Sequence, residues 1–246
     1  MAIKTHTIEY HHDDTLLEGL MAWDDAAAAP RPGVLVAPVW AGRNAQADHK
    51  AEALAALGYV GFALDMYGKG VLGNSIDENA RLMQPFVDDR ALLQQRMQRA
   101  LDVMRAQDQV DDTRTAAIGF CFGGMCVLDL ARSGAEIGGV VSFHGLLKAP
   151  GNTAGTAIKA KVLALHGHDD PLAPPQDVLA LEQELTAAGA DWQVHVYGHA
   201  MHAFTNPAAN DRDFGTVYQP DADRRSWRSM EDFLAEVLGA EVPGPA

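Results

Sequence analysis

Short apolar runs alternate with longer amphipathic segments along most of the chain. This pattern is typical of strands interleaved with helices around a mostly parallel sheet. Segments 2–10 and 16–23 flank the turn-like triplet His12-Asp13-Asp14 and predict an antiparallel hairpin. The other apolar runs predict strands at residues 33–37, 60–64, 115–119, 139–143, 161–166 and 192–197. We therefore predict an α/β fold with eight strands, the first two forming an antiparallel edge.

Helical segments fall between these strands. The pattern predicts helices at residues 45–57, 88–106, 123–131, 175–188 and 226–238. Between Asp65 and Asp88 lies a Gly-rich stretch followed by polar residues, and connections this long are more often functional than incidental. We interpret residues 66–88 as a cap-like insertion, with a solvated loop as the alternative. The sequence shows no internal repeat and no second domain, so we expect a single domain over residues 1–246.

Composition narrows the functional classes. The chain has 246 residues, 48% of them hydrophobic, which is enough to bury a full core. Its formal net charge of -14 would repel phosphate backbones and anionic lipid, so we expect no nucleic-acid or membrane partner. The start lacks the apolar core of a secretory signal. We expect a cytoplasmic protein, a monomer or small homo-oligomer, whose Cys121 and Cys126 form no disulfide framework.

The segment Ala116-Ala-Ile-Gly-Phe-Cys-Phe-Gly-Gly-Met125 carries the clearest chemical signal. An apolar strand leads into a sharp turn with glycines on both sides of Cys121, and a helix follows. This is the nucleophile elbow G-x-S-x-G with cysteine in place of serine. Small neighbours tolerate the strained turn, and the helix N-terminus favours an attacking thiolate. We predict that Cys121 is a nucleophile rather than a small buried hydrophobe, whereas Cys126 belongs to the core.

An elbow nucleophile needs a base and an acid, which this fold class places on the loops after the last two strands. The loop 166–171 follows the seventh strand and the loop 198–204 follows the eighth. The order Cys, Asp, His is that of a hydrolase triad. The residues alone leave two candidates for each role, Asp169 or Asp170 for the acid and His199 or His202 for the base.

Four segments together resemble the dienelactone hydrolase family: Gly119-Phe-Cys-Phe-Gly-Gly124, Gly167-His-Asp-Asp-Pro-Leu-Ala-Pro174, His202-Ala-Phe204 and Asp65-Met-Tyr-Gly68. The resemblance extends from about the opening hairpin to the terminal helix. It implies an α/β-hydrolase fold, with about eight strands and helices on both faces of the sheet. It also implies a hydrolase that acts on a small-molecule ester or lactone through a thioester acyl-enzyme, without a cofactor.

The resemblance assigns the triad to Cys121, Asp170 and His202. His202 would take the thiol proton and later activate water, while Asp170 would fix its tautomer and stabilise the imidazolium. The oxyanion would be held by the backbone N–H of Phe122 and by a second N–H after the third strand, that of Trp40.

Two positions depart from the family. Val39 stands where members usually carry a glutamate that is thought to help deprotonate the resting cysteine. Either His202 alone activates Cys121, or another carboxylate substitutes, or the protein is catalytically impaired, and we expect the first. Asn206 lies where the namesake enzyme has an arginine that binds the substrate carboxylate. We therefore expect a neutral ester, or an acid held by Arg43, Arg81 or Lys69. The candidate substrate contacts are Val39, Tyr67, Arg81, His144 and Phe204.

Two other functions compete with this one. His166, His168 and Asp170 could form a metal hydrolase site together with His195, His199 and His202, but no H-E-x-x-H helix is present and the elbow would be unexplained. We therefore expect no metal. A catalytically weak or silent hydrolase-fold binding protein is the alternative outside active enzymes, since Val39 makes it conceivable and one fold hosts many functions.

Overall fold

The fold is built on a central sheet of eight strands. The computed structural model describes residues 2–26 and 30–239. The strands are β1 (Ile3–His12), β2 (Thr15–Asp24), β3 (Arg31–Ala37), β4 (Val60–Ala63), β5 (Val110–Phe120), β6 (Gly139–Phe143), β7 (Lys161–Gly167) and β8 (Trp192–Tyr197). Their order in the sheet is β1-β2-β4-β3-β5-β6-β7-β8. Because β2 is antiparallel to β1 and β4 while the other neighbours are parallel, the predicted mostly parallel sheet with an antiparallel edge is confirmed.

Strand β5 begins earlier than its apolar pattern predicts. Pairing with β3 already starts where Arg31 faces Val110, and the register then shifts between Pro32 and Gly33. The polar residues 111–114 occupy this irregularity and are partly exposed. A pattern of buried positions therefore detects only the second, regular part of the strand.

Within the described residues the helices are α1 (Ala45–Ala56), α2 (Ile76–Asp88), α3 (Arg90–Arg105), α4 (Phe122–Arg132), α5 (Pro175–Ala187) and α6 (Pro220–Leu238). All but α2 correspond to predicted helices. Helix α6 begins at Pro220 rather than at residue 226, because the Gln219 side chain caps it by accepting from the N–H of Ala222 at 2.7 Å. None of these helices is both long enough and apolar enough to cross a membrane.

Helix α2 lies in the segment that we interpreted as a cap, and the sequence pattern missed it. Ser75 caps its start by accepting from the N–H of Glu78 at 3.2 Å. The Glu78 carboxylate accepts in turn from the N–H of Asn74 at 2.9 Å. These reciprocal bonds resemble a capping box, so the Ser-x-x-Glu spacing was the available signal. Phe86 is the buried side chain that anchors this amphipathic helix.

Apolar side chains form one cluster on each face of the sheet. The first cluster joins the sheet to α3, α4 and α5, and it includes Cys126, as predicted. The second joins the sheet to α1 and α6. Strand β3 is buried along nearly its whole length, which is why it appears in the sequence as a continuous apolar run rather than an alternating one.

A buried group of charges fixes α4 to its neighbours. The Asp129 carboxylate, which is fully buried, accepts from Arg90 at 2.6 and 2.7 Å and from Arg132 at 3.1 Å. Arg132, equally buried, also donates to Glu184 at 2.7 Å and to the carbonyl of Leu147 at 2.8 Å. Since both arginines depend on Asp129, this carboxylate holds α4 against α3 and α5.

We predict that Asp129→Ala destabilises the protein by about 3–5 kcal/mol, because two cations would lose a buried counter-charge. The control is Glu136→Ala, which removes an exposed pair with Lys159 and should cost less than about 1 kcal/mol. Urea denaturation followed by circular dichroism measures both values. Equal losses in the two variants would contradict a structural role for the buried group.

Candidate active site

Cys121 lies between β5 and α4 in the strained turn that the sequence predicts. Its backbone has φ 55° and ψ −115°, a region that non-glycine residues rarely adopt. The neighbouring backbone segments approach too closely for side chains. A Cβ added at Gly123 would lie 2.2 Å from the carbonyl oxygen of Ala37, and one at Gly119 would lie 2.0 Å from the carbonyl oxygen of Gly123. Glycine is therefore sterically required on both sides of the nucleophile candidate.

Asp170 and His202 are hydrogen-bonded to each other in the interior. The Nδ1 of His202 lies 2.8 Å from one carboxylate oxygen of Asp170. The other carboxylate oxygen accepts from the N–H of Leu172 at 2.8 Å. Both side chains are almost fully buried. This arrangement fixes the ring orientation and, with Nδ1 as donor, leaves Nε2 to exchange a proton.

The Nε2 of His202 makes no hydrogen bond of ordinary geometry with any described residue, but it interacts electrostatically with the sulfur of Cys121. Burial disfavours the charged imidazole. The negative charge of Cys121 and the hydrogen bond to Asp170 outweigh that effect, and they raise the pKa of His202 to about 10. Catalytic hydrogen bonds are often long before substrate binds. The raised pKa of His202 is therefore consistent with a charged imidazole between Cys121 and Asp170.

Asp169 and His199 lie outside this arrangement. The His199 side chain is 98% exposed and its Nδ1 is 3.9 Å from an oxygen of Asp169, which is itself half-exposed. The positive φ of His199 marks it as a turn residue. Of the two candidates for each role, the structure brings together Asp170 and His202.

A short hairpin holds the backbone of His202, and the sequence pattern missed it. It consists of β9 (Asn210–Asp211) and β10 (Thr216–Val217). The N–H of His202 donates to the carbonyl of Gly215 at 2.9 Å, and the carbonyl of His202 accepts from Val217 at 3.0 Å. Strands of two residues are too short to give a periodic signal.

The two predicted oxyanion donors lie at neighbouring backbone segments. The N–H groups of Phe122 and Trp40 have no hydrogen-bond acceptor in the part of the chain that the structure describes. The close contact of Gly123 with the carbonyls of Ala37 and Pro38 holds the end of β3 against the start of α4. Two free N–H donors on adjacent segments next to Cys121 in the fold are suited to stabilise an oxyanion, and such donors are worth about 3 kcal/mol each in the transition state.

Aromatic side chains surround these donors. Tyr67 stacks on Phe122 with ring centroids 6.1 Å apart, and its hydroxyl donates to the carbonyl of Trp40 at 2.9 Å. Phe86 of α2 contacts both Tyr67 and Phe122. The Trp40 ring stacks on Phe214 at 6.0 Å, from the tip of the β9–β10 hairpin. Phe214 was not among the predicted residues, because only the hairpin brings it to Trp40.

The cations proposed to bind a substrate carboxylate have other partners. Arg43 donates to Glu18 at 3.0 Å, and Lys69 is paired with both Glu9 and Glu18. Arg81 is exposed on α2, where it donates to a carbonyl of its own helix at 3.4 Å. The side-chain oxygen of Asn206 accepts from the N–H of Ala208 at 3.0 Å within a local turn.

Two of the predicted substrate contacts have buried side chains in this structure. His144 is 1% exposed and Phe204 is fully buried, so neither side chain lines an open pocket. Phe204 packs in the second apolar cluster, and both ring nitrogens of His144 are hydrogen-bonded inside the protein. Val39 is half-buried and packs against the same second cluster. A position after a strand does not by itself determine the direction in which a side chain points.

No group of three or more His, Cys, Asp or Glu side chains within residues 2–26 and 30–239 is arranged to hold a metal ion. The six residues of the competing metal hypothesis are therefore dispersed or engaged elsewhere. His168 and His199 are exposed, whereas His202 is bonded to Asp170.

Comparison with known proteins agrees with the geometry. A model of the dienelactone hydrolase family matches residues 17–238. The solved structure of a dienelactone hydrolase-like promiscuous phosphotriesterase from metagenomic libraries is 38% identical; the match covers 97% of this chain and 100% of that one, with a TM-score of 0.91. A solved structure named m3DLH is 37% identical over the same shares, with a TM-score of 0.90.

A Yersinia pestis protein assigned provisionally as a carboxymethylenebutenolidase is 27% identical over 242 residues, which cover 93% of this chain and 87% of that protein. The predicted family, fold and enzyme class are confirmed. The chain belongs to the dienelactone hydrolase family of carboxylic ester hydrolases, with the α/β-hydrolase fold.

Proposed function

We propose that this protein hydrolyses uncharged esters or lactones with Cys121 as nucleophile, His202 as acid and base, and Asp170 as the partner of His202. The observation that carries the proposal is the buried hydrogen bond between His202 and Asp170, with the other ring nitrogen left for the Cys121 sulfur. Family membership supports hydrolysis as the reaction class.

In the acylation step the Cys121 thiolate attacks the carbonyl carbon, and a carbon–sulfur bond forms. The N–H groups of Phe122 and Trp40 hold the resulting oxyanion. Its collapse breaks the carbon–oxygen bond, and protonated His202 gives its proton to the leaving alkoxide. The products of this step are an alcohol, a thioester on Cys121 and a neutral His202.

Deacylation uses the same ring in the opposite direction. The sulfur of the thioester carries no charge, so one cause of the raised pKa of His202 disappears and the neutral imidazole becomes a base. His202 takes a proton from water while the oxygen attacks the thioester carbon. Collapse releases the carboxylic acid and restores the thiolate beside protonated His202. No external carboxylate is required, which accommodates Val39.

The substrate class follows from the surroundings of the triad. Arg43 and Lys69 are paired with glutamates, while the aromatic side chains packed around the proposed oxyanion donors include Tyr67, Phe122 and Trp40. The packing of Phe86 and Tyr67 against Phe122 supports a cap formed by residues 66–88. These features favour an uncharged, partly aromatic ester as the substrate. The proposed single domain would bind it beneath this cap.

The first test is a panel of aryl esters, lactones, thioesters and a neutral phosphotriester, the last because the 38%-identical relative is a promiscuous phosphotriesterase. We expect Cys121→Ala to lose ester hydrolysis by at least about 10³-fold, as removal of a nucleophile does. Mass spectrometry should detect an acyl adduct on Cys121 in the wild type. Cys126→Ala, which alters a buried core cysteine, is the control and should remain active. Full activity of Cys121→Ala would refute the mechanism, and inactivity of the wild type on the whole panel would favour the binding function.

The pH dependence of alkylation tests the ion pair. A cysteine with an ordinary pKa near 8.5 reacts about 25-fold faster with iodoacetamide at pH 9 than at pH 7. Because the raised pKa of His202 keeps the imidazole charged from neutral pH to about 10, we expect nearly constant labelling of Cys121 over this interval. His202→Ala should restore the steep rise. The same steep rise in the wild type would show that no ion pair exists.

Substrate charge provides a further test. We expect an aryl ester with an uncharged acyl group to be hydrolysed with a higher kcat/KM than its analogue carrying a carboxylate on that group. Arg81→Ala should leave the ratio unchanged, because Arg81 is exposed on α2. A preference for the carboxylated ester that disappears in Arg81→Ala would instead assign Arg81 to substrate binding.

A further inference from the structure

His144 occupies an unusual position at the end of β6. Its φ of 38° is in the left-handed region, which a branched or aromatic side chain adopts at a cost of about 1–3 kcal/mol. The side chain is 1% exposed. Its backbone N–H donates to the carbonyl of Leu165 in β7 at 2.8 Å. A strained, buried histidine directly behind the nucleophile requires an explanation that the triad does not supply.

Each ring nitrogen of His144 contacts a different catalytic segment. Nδ1 accepts from the backbone N–H of Cys121 at 3.2 Å, a donor shared with the carbonyl of Phe143 at 3.0 Å. Nε2 lies 2.8 Å from the hydroxyl of Thr205, which is buried on the loop that carries His202. Because Nδ1 accepts, Nε2 carries the proton and donates to Thr205.

The surroundings keep this ring uncharged. The ring of His202 meets it edge to face with centroids 5.2 Å apart. Burial comes first among the causes that hold the pKa of His144 well below its usual range, and the charge of His202 comes next, with smaller contributions from Lys50 and His166. Lys50 approaches from α1, and His166 lies at the end of β7. A proton on Nδ1 would also displace the N–H of Cys121.

We propose that neutral His144 is a positioning residue that joins the nucleophile elbow to the loop of the catalytic histidine, through the N–H of Cys121 at one end and the hydroxyl of Thr205 at the other. This inference rests on the proposed function of Cys121 and His202. One ring sets the relative position of sulfur and imidazole and adds no charge. A carboxylate could not donate to Thr205 and would add a negative charge beside His202, whereas a phenyl ring could make neither bond.

The test uses three variants. His144→Phe keeps a flat ring and removes both bonds. His144→Asn places an acceptor oxygen near the position of Nδ1 and tolerates a positive φ. Thr205→Val keeps the shape of the buried threonine and removes only the hydroxyl. The readouts are kcat and KM on the best ester of the panel, the alkylation profile of Cys121 between pH 7 and 9, and the thermal midpoint.

In His144→Phe we expect kcat to fall by about 10–100-fold with KM nearly unchanged, since displacement of reacting groups by about 1 Å has effects of this size. Alkylation should acquire the steep pH dependence of a free cysteine. His144→Asn should recover part of kcat, and Thr205→Val should show an intermediate loss. If His144→Phe does not fold, the Asn and Val variants carry the test.

The positioning role would be overturned if folded His144→Phe kept the wild-type kcat and an alkylation rate of Cys121 that is constant between pH 7 and 9. The same result in both His144→Asn and Thr205→Val would also overturn it. A loss of thermal stability without any change in the alkylation profile would do the same, because it would show a purely structural role. Failure of the proposed function would be recognised separately, because Cys121→Ala would then retain activity regardless of the results for the His144 variants.

Discussion

The contact between the start of α4 and the ends of β3 and β5 is the constraint on which the site depends. Backbone meets backbone at Gly119 and Gly123, with no space for a Cβ at either position. This contact accompanies the positive φ of Cys121 and places its sulfur at the N-terminus of α4. It also holds the segment that carries Trp40 against the segment that carries Phe122. The proposed nucleophile and the proposed oxyanion donors therefore depend on one packing arrangement.

The charges of the site are balanced by groups that the same arrangement positions. In the proposed mechanism the Cys121 thiolate lies beside the imidazolium of His202, which is hydrogen-bonded to Asp170. The N-terminus of α4 contributes partial positive charge on the side of Cys121, and the N–H of Leu172 compensates Asp170. His144 contacts the same segments as a neutral group, which leaves this balance intact.

The sequence predicts those parts of the molecule whose structure is determined by a local residue pattern. The sheet, five helices and the elbow follow from apolar runs and glycine positions, because β3 and the regular part of β5 are buried on both faces. Helix α2 had a local signal in the Ser-x-x-Glu spacing of Ser75 and Glu78, but a search based on apolar positions does not detect such capping residues. The hairpin at 210–217 and the stacking of Phe214 on Trp40 had none, since tertiary contacts create them.

The direction of side chains is a second feature that the sequence did not predict. His144 and Trp40 both follow parallel strands, at the edge where binding residues gather, yet His144 points into the interior and Trp40 is partly exposed. The pairing of Arg43 and Lys69 with Glu18 joins residues from three segments, so no local pattern could reveal it.

Val39 and the pairing of Arg43 and Lys69 with Glu18 bear on the same step of the proposed mechanism. A carboxylate at position 39 would assist a cysteine that becomes charged only when a substrate arrives, and an arginine near position 206 would hold a charged substrate. This chain has Val39 and Asn206 at those places, while His202 is charged by its resting neighbours over the neutral pH range. In the proposed mechanism, a sulfur that is already paired with an imidazolium needs no charge on the substrate to activate it.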